Sequence, residues 1–164
     1  MSQLTLNAQL EALTGLKRPA GIELATLTRY DIPALAALAL VAYDSPETAE
    51  NLFESVDQMR MLCAGEFGNP LDNSFVGAWS EGELIGAIFV TIGTPWDDDD
   101  DQPYILELMV HPDYRGRGIA TALIGEVAGR VGEAGFEDIG LRVDMRQAKA
   151  ATRLYDYLGF EEVK

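Results

Sequence analysis

The segment that most constrains this chain is Leu106-Glu-Leu-Met-Val-His-Pro-Asp-Tyr-Arg-Gly-Arg-Gly-Ile-Ala-Thr121. Residues 104–110 are a β-rich run, with Leu106, Leu108 and Val110 on one face and Glu107 and Met109 on the other. The run stops at His111 and Pro112. Beyond two glycines, Ala120, Leu123, Ile124, Val127, Ala128 and Val131 mark an amphipathic helix that ends near Gly135. A strand that feeds a helix N-terminus through glycines is an anion cradle, because the first helical N–H groups lack internal partners and the helix dipole favours negative charge there. Gly116 and Gly118 let the backbone approach a ligand with no Cβ in the way. Seven of the twelve basic residues lie between Arg115 and Arg153, and these include Arg130, so positive charge concentrates where an anion would sit. The segment has neither the Gly-x-Gly-x-x-Gly of a dinucleotide fold nor the Gly-Lys-Ser/Thr of an NTPase loop.

The remaining chain alternates helix and strand signals. Residues 22–27 read as a strand, and Asp31 suits the N-cap of a helix through Leu35, Leu38 and Val41. Ala49, Leu52, Phe53 and Val56 recur at helical spacing and predict one buried stripe. Residues 74–79 and 84–92 predict an antiparallel hairpin, Ile139, Leu141 and Val143 a strand, and Ala148, Ala151, Tyr155 and Leu158 a final helix closed by Gly159. Residues 1–20 read as an N-terminal arm and residues 21–164 as one domain, the ordinary size for a single core. A formal charge of −15 repels polyphosphate backbones, which excludes general nucleic-acid binding. The longest apolar stretch, residues 32–43, is too short for the ~20 residues a bilayer span needs, so no membrane association is expected. Cys63 has no partner for an internal disulfide and reads as an inert thiol on an apolar helix face; a cytoplasmic location fits.

Two blocks carry a resemblance. The run Val110-His-Pro-Asp-Tyr-Arg-Gly-Arg-Gly-Ile-Ala120 resembles the acetyl-CoA signature of the GNAT acyltransferase superfamily, Arg/Gln-x-x-Gly-x-Gly/Ala, and Ala151-Thr-Arg-Leu-Tyr-Asp-Tyr-Leu-Gly-Phe160 is similar to the family's Ala-x-x-Leu/Phe-Tyr-x-x-x-Gly-Phe block. The resemblance implies a mixed α/β (α+β) fold: a twisted, mostly antiparallel sheet flanked by helices, in which the strand ending at Val110 and the strand of residues 139–143 run parallel and splay apart at the acyl-CoA site. It implies acetyl-CoA as co-substrate and no metal. Backbone groups of Met109 and Val110 would hold the pantetheine arm like an added strand. Amides of Arg115, Gly116, Arg117, Gly118, Ile119 and Ala120, with Thr121 beside them, would hold the diphosphate, and the Leu108 N–H would polarise the thioester carbonyl. The family's asparagine three residues before the alanine is Ala148 here, with Gln147 next to it.

Transfer to an amine requires a base, because a lysine-like amine has a pKa of ~10.4. Glu107, beside Leu108, is the candidate; its alternation equally allows a polar face or an ion pair with a neighbouring arginine. Tyr155 matches the family tyrosine that protonates the departing thiolate, and it also suits a core position with Ala151 and Leu158. The expected function is N-acetyl transfer from acetyl-CoA to a primary amine, on a small molecule, polyamine or peptide, by direct attack in a ternary complex. The alternative is a domain that binds or senses acyl-CoA without turnover. The acidic surface suggests a cationic acceptor, and the five aspartates of residues 97–101, with Trp96, could approach it. Relatives usually continue beyond the Gly-Phe pair with a full hairpin, so the sheet edge is expected to be covered by the N-terminal arm or by a second subunit in a homodimer.

Overall fold

A computed structural model of the chain describes residues 3–93, 102–144 and 149–163. The aspartates 97–101, Trp96, Arg146, Gln147 and Ala148 lie outside the described residues. Seven strands form one sheet: β1 (Gln3–Gln9), β2 (Glu23–Thr26), β3 (Asn69–Ser80), β4 (Glu83–Ile92), β5 (Pro103–Val110), β6 (Asp138–Asp144) and β7 (Glu161–Glu162). Their spatial order is β2-β3-β4-β5-β6-β1-β7, and β5–β6 is the single parallel pair among antiparallel neighbours. The four α-helices are α1 (Ile32–Ala42), α2 (Ala49–Cys63), α3 (Ile119–Glu133) and α4 (Lys149–Leu158). Among the described residues no helix is long and apolar enough to cross a membrane.

The sheet is buried on both faces. Leu35, Leu38, Met59 and Leu62 of α1 and α2 pack with Phe75, Phe89 and Met109 on one side. Ile119, Leu123 and Val127 of α3, with Tyr155, Leu158 and Phe160, pack with Ile88, Ile105, Ile139 and Leu141 on the other. That double burial explains why β4 reads as a continuous apolar run. Its hairpin with β3 turns on Glu81 and Gly82, both at positive φ, which is the two-residue geometry that matches strand twist.

Four expectations change. Asp31 does not accept a hydrogen bond as the N-cap of α1; its carboxylate accepts from the Thr28 amide at 2.8 Å while the Thr28 hydroxyl accepts from Tyr30, a capping box on the short turn before the helix. The buried stripe of α2 is Ser55, Met59 and Leu62, whereas Leu52 and Phe53 are exposed, Phe53 at 76%. Ser55 donates to the Ala36 carbonyl at 2.8 Å, and this small hydroxyl lets α1 and α2 approach where a larger apolar residue would hold them apart. Arg130, near the C-terminal end of α3, bonds Glu126, Thr26 and the Asn73 carbonyl, so it pins α3 to β2 and β3 far from the cradle. The first residues are no detached arm: β1 pairs with β6 along its whole length, and Leu6, Ala8, Leu10 and Leu13 are buried in the core. The arm thus occupies the side of β6 that faces away from β5.

Candidate active site

The site begins where β5 and β6 part. Among the described residues their parallel pairing is limited to Tyr104 with Gly140 and Ile105 with Leu141, after which β5 runs on to Val110 with no strand partner on that side. Gly140 lets the strands meet before they diverge, since a Cβ there would stand 2.8 Å from the Tyr104 ring. On the other side β5 pairs with β4. His111 donates to the Ile85 carbonyl at 2.8 Å, so by antiparallel alternation Met109 and Glu107 bond toward β4 while Leu108 and Val110 direct N–H and C=O into the gap. This corrects one expectation: Met109 spends its backbone groups on Ala87, and only Leu108 and Val110 offer theirs to a ligand.

A register shift in the β4–β5 ladder adds a residue to β5 between Ile105 and Glu107. Such a bulge turns two consecutive side chains to one face. Leu106 therefore leaves the face it would share with Leu108 and joins Glu107 on the α1–α2 side, where both line a cavity of about 550 Å³ with Ala39, Tyr43, Met59 and Phe67.

The turn after β5 is built by Pro112, which ends the strand and starts a short 3-10 turn, and by Gly116 and Gly118 at φ +77° and +86°. Around both glycines a Cβ would meet nothing within 4 Å: the space they face is open. Among the described residues the amides of Gly116, Arg117 and Gly118 have no hydrogen-bond partner, and the first helical bond of α3 is Ala122 N–H to the Gly118 carbonyl. The Arg115 amide, by contrast, is bonded to the Pro112 carbonyl at 3.4 Å. A cavity of about 290 Å³ follows the turn, lined by Val110, Tyr114, Gly118, Ile119, Ala120 and Thr121. The Arg115 guanidinium donates to the carbonyls of Val110 (3.3 Å) and Ala42 (2.7 Å), and the Arg117 guanidinium lies over the Tyr114 ring. These arginines therefore shape the loop through their side chains.

Between the two cavities lies a third, of about 300 Å³, bounded by Tyr43, Leu108, Val110, Arg115 and Tyr155. Tyr155 is 8% exposed and its ring meets Phe160 edge-on at 5.5 Å, so packing and site position coincide. Burial, reinforced by the nearby Glu107 charge, pushes its phenol up to about 12. Burial also raises the Glu107 carboxyl to about 7, with the Leu108 amide pulling weakly the other way. The Tyr43 hydroxyl donates to the Glu107 carboxylate. Tyr43 and Gln58 went unnoticed in the sequence because Tyr43 merely ends an apolar helix and Gln58 sits on a polar-looking stretch, and nothing local links either to a glutamate on a distant strand. Cys63 is half-buried on α2, its thiol raised by burial and then by Asp31, and it does not line these cavities.

A sheet antiparallel except for one splayed pair, opening beside a glycine cradle at a helix N-terminus, is the acyltransferase architecture that the signature blocks imply. The chain belongs to the acetyltransferase (GNAT) family, whose profile matches residues 33–160. Among individual proteins it is similar to the N-alpha-acetyltransferase MAK3 of Arabidopsis thaliana, 33% identical over 87 residues, which is 53% of this chain and 44% of that protein. The fold superimposes on a GCN5-related N-acetyltransferase from Sphaerobacter thermophilus with a TM-score of 0.70 at 23% identity, covering 98% of this chain and 48% of the other. It also matches the PaiA N-acetyltransferase of Thermoplasma acidophilum, solved with coenzyme A, with a TM-score of 0.62 at 21% identity, covering 85% and 89% of the two chains. The chain thus spans about half the length of the first two.

Proposed function

We propose that the protein transfers the acetyl group of acetyl-CoA to a primary amine by direct attack in a ternary complex. The observation that carries this reading is the set of unpartnered amides at Gly116, Arg117 and Gly118, continuous with the unpaired edge of β5. Those amides, with the first turn at Ile119, Ala120 and Thr121, hold the diphosphate. Leu108 and Val110 hold the pantetheine arm, and Met109 contributes a wall only. Bound acetyl-CoA supplies an activated acyl carbon; the rest is done by side chains and amides of this chain. The Leu108 N–H faces the gap where carbonyl charge develops. Glu107 takes a proton from the attacking amine as the N–C bond forms, and Tyr155 gives its proton to sulfur as the C–S bond breaks.

The pKa values narrow the acceptor. A carboxylate raised to about 7 stands closer to an α-ammonium (pKa ~8) than to a lysine ammonium (pKa ~10.4), so taking the proton is less uphill from the α-amine. An α-amine of a peptide or a similarly weak amine therefore suits this base, in keeping with the name of the Arabidopsis relative. Among the described residues the large cavity has apolar walls of Ala39, Met59, Leu62, Phe67 and Leu106 around the Glu107 carboxyl group.

The test is a panel of peptides and small amines incubated with acetyl-CoA, read by thiol release and mass spectrometry. Turnover of at least one α-amine, with lysine-like amines slower at neutral pH, is expected. Tight CoA binding with no thiol release under any amine would select instead the non-catalytic acyl-CoA-binding domain.

A further inference from the structure

We infer that Tyr43 is the positioning residue of this site: its hydroxyl holds the Glu107 carboxyl in place, and its ring separates the acceptor cavity from the acyl cleft. This deepens the reading above and rests on it for its kinetic consequences. Tyr43 caps the C-terminus of α1, with its amide bonded to the Ala39 carbonyl at 3.0 Å. It is the residue common to the wall of the large cavity, beside Glu107 and Met59, and the wall of the smaller one, beside Leu108 and Tyr155. Its hydroxyl donates to Glu107 Oε1. The ring is 57% exposed, so it is no core side chain whose burial would account for its place.

The neighbouring residue fixes the reach of that phenol. The Ala42 carbonyl accepts from the Arg115 guanidinium at 2.7 Å, and the same guanidinium bonds the Val110 carbonyl at 3.3 Å. The end of α1 is thereby tied to the diphosphate loop on one side and to the proton acceptor on the other.

Among the described residues, Tyr43 at the C-terminal cap of α1 and Tyr155 from α4 are titratable groups that face Glu107; α2 presents the neutral Gln58 and Met59. A hydroxyl that donates to the carboxylate stabilises its ionised form. Tyr43→Phe keeps the ring and removes that donor, so Glu107 should titrate about one unit higher. The experiment is a carbon-13 NMR titration of the Glu107 carboxyl in the wild-type protein and in Tyr43→Phe, together with the pH profile of kcat/KM for the best α-amine. The expected result is an upward shift of the acidic limb by about one unit and a kcat about fivefold lower at pH 7, with the KM for acetyl-CoA within twofold. Tyr43→Trp, which keeps a ring and places a different polar group, should not restore the limb. Should the wild type acetylate no amine, the reading of function fails while the NMR arm still decides the positioning role. Equal Glu107 titration in the two proteins would overturn it, as would an unshifted limb.

Discussion

At the residue scale, Glu107 is held in an environment that works against the fold, and the proposed function makes use of it. A carboxyl raised from 4.5 to about 7 costs nothing below pH 4.5, where both folded and unfolded chains are protonated. Between 4.5 and about 7 the unfolded chain releases a proton that the folded one keeps, so stability falls as pH rises, and above about 7 the cost is constant. Glu107→Gln should therefore melt at a higher temperature than the wild type at pH 8 and at the same temperature near pH 4, a gain of at most about 3 kcal/mol by the ~1.36 kcal/mol per unit relation. Its turnover should fall by a factor of about 100 or more, the usual worth of a positioned base. Thermal denaturation at the two pH values, beside a thiol-release assay, reads both effects. Tyr155→Phe should lower turnover about tenfold or more and leave CoA affinity by calorimetry nearly intact, because the ring and its contact with Phe160 remain; unchanged turnover would retire the phenol as acid. Gly116, Gly118 and Tyr155 stand out in the sequence as candidates because each sits inside a local motif, whereas Glu107 stands out only by its place beside Leu108 on the strand. Met109 was misread because backbone direction depends on which neighbour a strand pairs with.

At the element scale, the turn from β5 into α3 is the part that sequence reads best. Pro112 ends one element, and Gly118 at φ +86° opens the next. A Cβ at Gly118 meets no neighbour within 4 Å, so the cost of Gly118→Val to folding is chiefly the left-handed backbone, about 1–2 kcal/mol. Its cost to CoA binding should be larger, a rise in Kd of at least tenfold, because the added methyl groups enter the cradle; calorimetric titration beside a thermal melt separates the two, and equal affinity would refute the cradle. The bulge that brings Leu106 and Glu107 to one face was not legible, because strict alternation is the only rule a single strand offers. The α2 stripe failed for a related reason. Leu52 and Phe53 form an apolar helical pattern, yet Ser55 faces α1, and the choice between faces belongs to the helix–helix contact. Residues 1–20 read only as an N-terminal arm, although Leu4, Leu6, Ala8 and Leu10 alternate with the strand period.

At the scale of the whole molecule, β1 closes the sheet by lying between β6 and β7. Removing residues 1–9 takes Leu6 and Ala8 out of the core, exposes one edge of β6 and leaves β7 without a partner. The shortened chain should lose its cooperative melt and associate, visible in light scattering and sedimentation, since an unpaired strand edge is a template for pairing. A monomer with an unchanged melt would show that β1 is dispensable. Read alone, the sequence determined the order of most elements, the glycine cradle, the family and the tyrosine at the site, because each is encoded within a few neighbouring residues as periodicity, turn chemistry or motif. The tertiary structure alone decided which face of α2 is buried, that the first strand completes the sheet, that β5 bulges and frees the backbone of Leu108 and Val110, and that Tyr43 meets Glu107. Those depend on contacts between segments far apart in the chain, where packing and strand pairing choose among options that local sequence leaves nearly equal in energy.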